Sequence, residues 1–310
     1  MIAPHVARAS RARTNGPWLG HVELMSRLLS LGHVTWDRRD GLELVGGTVA
    51  YAAQCGRKLG WDVGVLTACG PDFEPARELP GVEVFRTTGA TTTRFASAVD
   101  EEGLRQQWLQ ARAPDVELEP LPEGWRNPDV LLIGPVAGEL PSHLALAFDA
   151  GVVGAIAQGF VRAVDEAGRV TPCEWRAPRA DLDGVHVLFL SEHDLESAEE
   201  RVGELLGLVP IVALTRGWRG LTLFTRDGRY DVPTLPRPEV DATGAGDVFA
   251  TAFLLRYHEC GDPLEAAAFG ACAASCAVEG AGTTTLGDRT EIERRLVLRD
   301  KLLEDGEWDE

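Results

Sequence analysis

The sequence lacks the features that would assign it to a membrane, secreted or nucleic-acid-binding class. No apolar run approaches the roughly 20 residues that a membrane-spanning helix requires, and the first residues lack the apolar core of a signal peptide. Basic residues number 30 against 48 acidic ones, and the formal charge of -18 argues against nucleic acid or an anionic membrane as the main partner. We therefore expect a cytoplasmic protein whose partner is a small molecule.

Cysteine is scarce and scattered, with six residues and no CxxC pair. This pattern is typical of reduced cytoplasmic thiols and not of a disulfide-stabilised secreted domain. Cys272 and Cys276 lie one helical turn apart, but no histidine is nearby. They are therefore expected to be small core residues and not metal ligands.

The remaining composition is that of an ordinary globular protein. With 310 residues, of which 45% are hydrophobic, the chain can bury the core of a large α/β domain. Residues 1–24 are polar, carry several arginines and show no hydrophobic periodicity, so we interpret them as a disordered or non-native extension. The domain is expected to cover residues 25–310, with Met25 at its start.

Two regions with different patterns follow. Up to residue 112 we predict a strand over 27–37, a helix over 49–59, a strand over 63–67 and a small β flap with strands from about 38–48 and 86–112. From Asp129 onward strands and helices alternate, which predicts parallel βαβ units with helices on both faces of a sheet. Helices in this half are predicted near 141–150, over 194–206, after the glycines of residues 244–246, over 263–278 and at the C-terminus.

The stretch DATGAGDVFATAFL, Asp241 to Leu254, carries the strongest functional signal. Gly244 and Gly246 allow a tight turn, and apolar residues follow at helical spacing, so the segment is predicted to be a loop that leads into a helix. The free N–H groups and the positive dipole of a helix N-terminus favour an anion. Asp247 lies in the same first turn, where its charge would oppose a permanently bound phosphate.

A phosphoryl-transfer site explains the position of Asp247 better than a site that only binds a nucleotide. A dinucleotide-binding loop is disfavoured, because Asp247 would face the pyrophosphate and the preceding DVPTLPRPEV contains three prolines. A P-loop is excluded because GxxxxGK[ST] is absent. If the loop amides receive negative charge only while a phosphoryl group moves, Asp247 can serve as the base that takes a proton from an acceptor hydroxyl.

DATGAGD resembles the D-T-x-G-A-G-D signature of the ribokinase, or PfkB, family of carbohydrate kinases, with Ala242 in the usual threonine position. The resemblance extends from about Ser26 to the C-terminus through the segments GHVTWD, VGGTVAYAAQCGRKLG, TACGPD, TRGWRG and GAGTTT. The aromatic residue after Gly-Gly and the serine at the start of the N-x-x-E position are most similar to plant-type myo-inositol kinases. The resemblance implies a ribokinase-like three-layer α/β sandwich with a central, mostly parallel sheet and a small β flap that acts as a lid.

The resemblance also implies a role for each matching residue. Asp247 would be the catalytic base, the amides of Ala245, Gly246 and Asp247 would form the anion hole, and Gly244 would complete the catalytic loop. The acceptor would be contacted by Asp37, Gly46, Gly47 and Tyr51. The donor side would be served by Ser191, Thr215, Gly217, Gly220, Asp241 and Gly282, and Asp194 would hold Mg²⁺ through water. Asp37 has an alternative as a turn or helix-cap aspartate, and Gly46 and Gly47 have one as simple turn glycines.

Two departures from the family pattern affect functional positions. Tyr51 stands where the family has asparagine, and the family motif N-x-x-E appears as Ser191-Glu192-His193-Asp194. Tyr51 is expected either to contact an acceptor ring or to pack beneath the flap. Ser191 and Asp194 keep oxygen atoms that suit Mg²⁺ bound through water.

The sequence thus predicts an ATP- and Mg²⁺-dependent kinase for a hydroxyl of a sugar or polyol, acting as a monomer or as a homodimer through the lid. A monovalent cation near residues 279–282 is a further implication of the resemblance. Two alternatives stay open. A nucleoside kinase of the same superfamily would need an aromatic or apolar slot beside Asp37. A non-catalytic sugar-binding protein with this fold is suggested by Ala242, Tyr51 and Ser191.

Overall fold

The computed structural model describes residues 25–39, 41–99, 105–194 and 198–305. Residues 1–24, for which the sequence predicts an extension, lie outside the described residues. The strands are Arg27–Leu31 (β1), Thr35–Arg39 (β2), Leu42–Gly46 (β3), Asp62–Cys69 (β4), Glu83–Thr88 (β5), Thr93–Val99 (β6), Arg105–Ala111 (β7), Val130–Ile133 (β8), Val152–Ile156 (β9), Arg162–Val164 (β10), Val170–Pro172 (β11), Val187–Ser191 (β12), Ile211–Thr215 (β13), Leu221–Thr225 (β14) and Gly228–Val232 (β15). The helices are Thr48–Lys58 (α1), Pro75–Glu78 (α2), Pro178–Asp181 (α3), Ala198–Leu206 (α4), Ala245–Cys260 (α5), Pro263–Ala277 (α6) and Arg289–Asp305 (α7).

The central sheet is mostly parallel. In the described part of the chain it has nine strands in the order β15-β14-β13-β12-β9-β8-β1-β4-β5. The pairs β13–β14 and β14–β15 are antiparallel, and the other neighbours run parallel. The carboxyl ends of the parallel strands therefore meet at one edge of the sheet, which confirms the predicted α/β class.

Alternate residues of the central strands face opposite sides of this sheet. In β8, Val130 and Leu132 join a core that includes α1, α5 and α6. Leu131 and Ile133 join a second core on the other side, with Trp125 and residues of α4. A sheet buried on both faces explains why its strands read as nearly continuous apolar runs.

A four-stranded sheet in the order β3-β2-β6-β7 forms the lid. The hairpin β10–β11 lies beside it and is linked to β7 by a bridge between Trp108 and Arg169. The lid begins at Thr35, earlier than the sequence indicated. Residues 86–88 belong to β5 of the central sheet and Thr48 belongs to α1, so their assignment to the flap was wrong.

The single strand predicted over 27–37 is two strands in different sheets. Its pattern is continuous, but at Gly32 the chain leaves the central sheet with a φ of 146°, and a Cβ there would lie 2.3 Å from the carbonyl oxygen of Gly134. The bend therefore depends on a tertiary contact with the loop after β8. A period-two pattern alone does not reveal such a bend.

The helix predicted near 141–150 is a single 3₁₀ turn, Leu144–Ala147. His143 precedes it with a left-handed φ of 59°, and its amide donates to the carbonyl oxygen of Ala180 at 2.8 Å. This hydrogen bond to the α3 segment holds His143 in a conformation that an α-helix does not contain. An α-helix therefore cannot begin before this residue. The apolar spacing reflects burial of the turn and not a helix.

Helices α5 and α6 are separated by two residues with opposite capping roles. Gly261 ends α5 in the left-handed conformation at φ 72°, and its amide donates to the Tyr257 carbonyl at 2.8 Å. The carboxylate of Asp262 then accepts the amides of Leu264 and Glu265, and Pro263 occupies the first turn of α6. The sequence CGDP thus turns one buried helix directly into the next.

A buried carboxylate fixes the bend between β1 and β2. Glu139 is 1% exposed and accepts hydrogen bonds from the amides of His33 at 2.8 Å, Val136 at 3.0 Å and Ala137 at 2.7 Å. These amides lie in the loops after β1 and after β8, where the chain leaves the sheet and has no ladder partner. Glu139 supplies the missing acceptors.

Substitution of this carboxylate is expected to destabilise the whole domain. Glu139→Ala leaves the buried amides of His33 and Val136 and the half-buried amide of Ala137 without an acceptor. Each unsatisfied buried donor costs about 1–3 kcal/mol, so the free energy of unfolding should fall by about 2 kcal/mol or more. Denaturant unfolding measures this loss. The control is Glu119→Ala at an exposed position, where the change should stay within about 0.5 kcal/mol. Equal stability of the two variants would contradict the role given to Glu139.

Candidate active site

A cleft of about 980 Å³ lies between the lid and the carboxyl edge of the central sheet. One wall comes from β2 and the start of α1, the other from the ends of β12 and β13 and the loop that follows β13, and the N-terminus of α5 lies between them. Ligands of open parallel sheets bind at this edge. The segments LSEHD, TRGWRG and DATGAGD all line the cleft, as the sequence indicated.

The first turn of α5 presents backbone amides to the cleft. Gly244 precedes the helix with φ 80°, and a Cβ at this position would lie 2.2 Å from the ring of Tyr51, so glycine is required for both reasons. The Ala245 amide donates to the Ala242 carbonyl at 3.2 Å, which removes Ala245 from the expected set of anion-binding amides. The remaining first-turn donors are the amides of Gly246 and Asp247, which helix geometry leaves without an intrahelical partner.

Asp247 lies beside these amides and is held by the first residue of α1. The hydroxyl of Thr48 donates to Asp247 Oδ1 at 2.8 Å. Burial raises the pKa of Asp247 to about 6, and this effect outweighs the Thr48 hydrogen bond, which favours the charged form. A carboxylate with such a pKa can accept a proton near neutral pH and release it again.

Three carboxylates and one guanidinium act on each other across the cleft. The charges of Asp37 and Asp194 raise the pKa of Asp247, and the charge of Arg162 lowers it. Arg162 lies on β10, and its guanidinium donates to Gln107 Oε1 at 3.3 Å. The hairpin therefore brings a positive charge to the side of the cleft opposite α5, which composition alone did not indicate.

Asp37 extends from the lid strand β2 towards the cleft. The Thr35 hydroxyl donates to Asp37 Oδ1 at 2.8 Å, and a Cβ on Gly46 would lie 2.2 Å from Asp37 Oδ2. Glycine at position 46 therefore makes room for this carboxylate on the neighbouring strand. Asp37 is neither a helix cap nor a turn residue, so the structural alternative considered for it does not apply.

Gly47 and Tyr51 shape the start of α1. Gly47 has a φ of 84°, and a Cβ there would lie 2.2 Å from the His33 carbonyl oxygen, so the turn requires glycine. The Tyr51 side chain is buried, with 3% of the residue exposed, and its ring contacts Gly244. Tyr51 thus supports the loop that precedes α5. It also lines the cleft and belongs to the core that includes Trp36 of the lid, so contact with an acceptor ring stays a prediction.

The loop after β13 forms the donor-side wall. Thr215 ends β13, and its hydroxyl donates to the Leu190 carbonyl at 3.3 Å. Gly217 and Gly220 both have positive φ, and a Cβ on Gly220 would lie 2.3 Å from the Val232 carbonyl oxygen. Arg219 donates to both carboxylate oxygens of Glu192 at 2.6 and 2.7 Å, which joins this loop to the segment after β12.

The Ser191–Asp194 segment folds back on itself. The Ser191 amide donates to Asp194 Oδ2 at 2.6 Å, and burial raises the pKa of Asp194. Among the described residues, no group of three or more His, Cys, Asp or Glu side chains is arranged to hold a metal ion directly. A Mg²⁺ ion bound through water and donor phosphates fits this chemistry, because a single buried carboxylate gains from a nearby cation while the ion keeps its hydration shell.

Asp241, expected on the donor side, is bound by a residue of the lid. Arg39 Nη1 and Nη2 donate to its Oδ1 and Oδ2 at 2.7 and 2.6 Å, and the Thr243 amide donates to Oδ1 at 2.9 Å. Burial alone would raise the pKa of Asp241, but the hydrogen bonds from Arg39 and Thr243 outweigh it and lower the pKa to about 2. Gly282 was also expected on the donor side. A Cβ added to it would lie 3.9 Å from the side chain of Leu44 on lid strand β3.

Sequence reasoning missed two residues that line the cleft, Thr48 and Arg162, and also missed Arg39, which binds Asp241. Arg39 follows Asp37 by two residues on β2, so strand alternation places both on the same face, and this signal was available. Arg162 and its hairpin were also detectable, since alternating residues flank the turn sequence DEAG. Thr48 offered no signal beyond its position after two glycines.

Comparison with known proteins supports the resemblance seen in the sequence. Residues 172–290 match the profile of the pfkB family carbohydrate kinases. No curated protein sequence matches this chain significantly. Among the described residues, no helix has the length and apolar character needed to cross a membrane.

Several solved structures share the fold. A pyrophosphate-dependent kinase of the ribokinase family, complexed with a pyrophosphate analogue and myo-inositol, superposes with a TM-score of 0.70 at 21% identity, over 86% of this chain and 99% of that chain. Ribokinase from Arabidopsis thaliana, with ribose and ATP, gives 0.67 at 22% identity over 88% and 99%. A fructokinase variant from Vibrio cholerae, with fructose, ADP and a potassium ion, gives 0.67 at 20% identity over 88% and 98%.

The central sheet, the lid and the cleft between them match the ribokinase-like fold of these structures. The part of the chain that matches the pfkB family profile, residues 172–290, contains the DATGAGD segment. The predicted fold is thereby confirmed, and the family resemblance is supported over residues 172–290.

The pKa of Asp247 leads to an expected pH dependence. If Asp247 is the base that the sequence predicts, it must be ionised to accept a proton, and kcat/KM for the acceptor should fall as the pH drops below about 6. Thr48→Val removes a hydrogen bond that favours the ionised form, so the acid limb of the profile should move to higher pH. Thr251→Val is the matched control, because that hydroxyl donates to the backbone carbonyl of Asp247 at 2.7 Å and not to its carboxylate. An acid limb that is the same in Thr48→Val and wild type would contradict this assignment.

Proposed function

We propose that the protein transfers the γ-phosphoryl group of ATP to a hydroxyl group of a sugar or polyol, with Asp247 as the general base. One observation carries the proposal. A carboxylate whose pKa is raised to about 6 lies in the first turn of α5, beside backbone amides that favour an anion. A site for a permanently bound phosphate would disfavour a carboxylate beside the amides. A site for a phosphoryl group in transfer uses such a carboxylate as the base that accepts the proton of the acceptor hydroxyl.

The proposed reaction uses the residues of the cleft in separate roles. Asp247 takes the proton from the acceptor hydroxyl, whose oxygen forms a bond to the γ-phosphorus while the bond from that phosphorus to the bridging oxygen of ADP breaks. The amides of Gly246 and Asp247 stabilise the charge that develops on the transferred group. Thr215, Gly217 and Gly220 line the path of the donor phosphates. Asp194 would hold Mg²⁺ through water, and the ion would supply neutralisation of the phosphate charge.

The acceptor side of the cleft offers polar side chains that suit a polyol. Asp37 and Thr35 lie on the lid strand, and Gln107 and Arg162 line the same part of the cleft. These side chains offer charged and neutral hydrogen-bonding groups to several hydroxyls. A nucleoside base would need an apolar slot beside Asp37. Phe95 pairs with Asp37 in the lid sheet and also lines the cleft, so a nucleoside stays the alternative acceptor.

Turnover by the wild type and by Asp247→Asn tests the proposal. The wild type should consume ATP with at least one member of a panel of sugars, inositols and nucleosides, and pyrophosphate should be tried as a second donor. Asp247→Asn keeps the shape of the side chain but removes the base, so kcat should fall by about 10²- to 10⁴-fold. Asp227→Asn, at an exposed turn, is the control and should keep wild-type turnover. An Asp247→Asn variant that is folded and within about threefold of wild type, or about 0.7 kcal/mol of barrier, would eliminate Asp247 as the base.

Substitution of Asp37 is expected to affect the acceptor alone. Asp37→Ala removes a charged partner for substrate hydroxyls, and such a hydrogen bond contributes about 1.5–3 kcal/mol, so KM for the acceptor should rise roughly ten- to hundredfold. KM for ATP should stay unchanged. The two constants are obtained from initial rates with each substrate varied in turn. If both rise equally, Asp37 has a structural role and does not bind the acceptor.

A further inference from the structure

The ion pair between Arg39 and Asp241 occupies the region where a monovalent cation is expected. The fructokinase neighbour holds a potassium ion, and the family resemblance implies a cation near residues 279–282. Whether this chain can bind one depends on the oxygen atoms that are free to coordinate it. A monovalent cation such as potassium needs several oxygen ligands at once, so each oxygen already used by a strong donor weakens the site.

The oxygen atoms of this region are already bound to donors of the chain itself. Both carboxylate oxygens of Asp241 accept from Arg39, and Oδ1 also accepts from the Thr243 amide. The carbonyl oxygen of Val278 accepts from the amides of Val240 at 2.7 Å and Asp241 at 3.1 Å.

The adjacent carboxylate is engaged in the same way. Glu279 forms ion pairs with Arg295 at 2.7 Å and with Arg237 at 3.4 Å. A cation site therefore does not fit these residues, because guanidinium and amide donors already bind the carboxylate oxygens of Asp241 and Glu279 and the carbonyl oxygen of Val278.

We propose that the guanidinium of Arg39 is a built-in replacement for the monovalent cation, so that the activity of this kinase is independent of potassium. The Asp241 side chain is 2% exposed and that of Arg39 is 29% exposed, so the positive charge enters the loop from the lid. A planar guanidinium matches a carboxylate with two parallel hydrogen bonds, a geometry that a spherical ion does not provide.

The replacement also couples the lid to the loop before α5. Arg39 lies two residues after Asp37 on β2, while Asp241 begins the segment that leads to Gly244 and Asp247. A diffusible ion would stabilise this loop wherever the lid is. A charge carried by the lid stabilises it only when the lid is in place, so positioning of the acceptor and ordering of the anion-binding turn become one event.

The wild-type protein provides the first test. Because this arm rests on the proposed kinase function, a second readout, the unfolding temperature, is measured in parallel. Both turnover and unfolding temperature should be the same within error in potassium, sodium or tetramethylammonium chloride at one ionic strength. Activation of several-fold by potassium, or a potassium-specific rise in unfolding temperature, would overturn the proposal without any variant being made. Absence of turnover with every acceptor would count against the proposed function alone, since the unfolding temperature would still report on the cation.

Removal of the guanidinium should create a cation requirement. Arg39→Ala leaves a buried carboxylate without its counter-charge, so turnover in tetramethylammonium chloride should fall at least about tenfold. Potassium, or guanidinium at low millimolar concentration, should restore part of the turnover and raise the unfolding temperature of this variant. The double variant Arg39→Ala/Asp241→Asn removes the charge that needs compensation and should lose the response to both cations.

Arg38→Ala is the matched control, because Arg38 is the exposed neighbour on the same strand. It should behave as wild type in all three salts. An Arg39→Ala protein with wild-type turnover and no response to potassium or guanidinium would overturn the proposal. A merely structural role for Arg39 predicts a loss of stability that neither cation reverses.

Discussion

The packing of the first turn of α1 against the first turn of α5 is the contact on which the site depends. The Thr48 hydroxyl binds the Asp247 carboxylate at 2.8 Å, and the Tyr51 ring lies against Gly244 so closely that no Cβ would fit there. Two helix N-termini, each with a positive dipole end, thus converge on one carboxylate. Burial still raises the pKa of Asp247 to about 6, because the loss of hydration destabilises the ionised form more than the Thr48 hydrogen bond stabilises it.

Side-chain contacts join the lid to this junction, because in the described part of the chain the lid strands form a sheet separate from the central one. Arg39 joins β2 to Asp241 with two hydrogen bonds, and Gly46 leaves room for Asp37 on the neighbouring strand. The acceptor-side carboxylate and the proposed base are consequently held in one frame by contacts between residues about 200 positions apart in sequence, as the separation of 202 between Arg39 and Asp241 shows. Orientation of an acceptor hydroxyl towards Asp247 follows from this frame, and positioning of this kind is a major source of rate enhancement.

The sequence predicted those features whose physical cause is local. The glycines of DATGAGD, the apolar spacing behind them and the alternation of strands and helices after Asp129 depend on residues near in sequence, and the structure has the loop, the helix and the parallel sheet. The bend at Gly32 depends instead on the approach of Gly134, and the left-handed His143 depends on the Ala180 carbonyl. Tyr51 and Arg39 meet the α5 loop through tertiary packing. Strand alternation placed Arg39 on the same face as Asp37, but no local pattern identified Gly244 or Asp241 as the contact partners.

The most direct measurement of the central claim is a titration of the Asp247 carboxyl itself. Protein labelled with ¹³C at the aspartate carboxyl carbons is followed by NMR from pH 4 to pH 8, and the Asp247 signal is identified by its loss in Asp247→Asn. A signal that titrates near pH 6 is the result expected for a base held between the two helix N-termini. A signal that has completed its titration by pH 4 would show a permanently charged carboxylate, and it would contradict the assignment of Asp247 as a base tuned by burial.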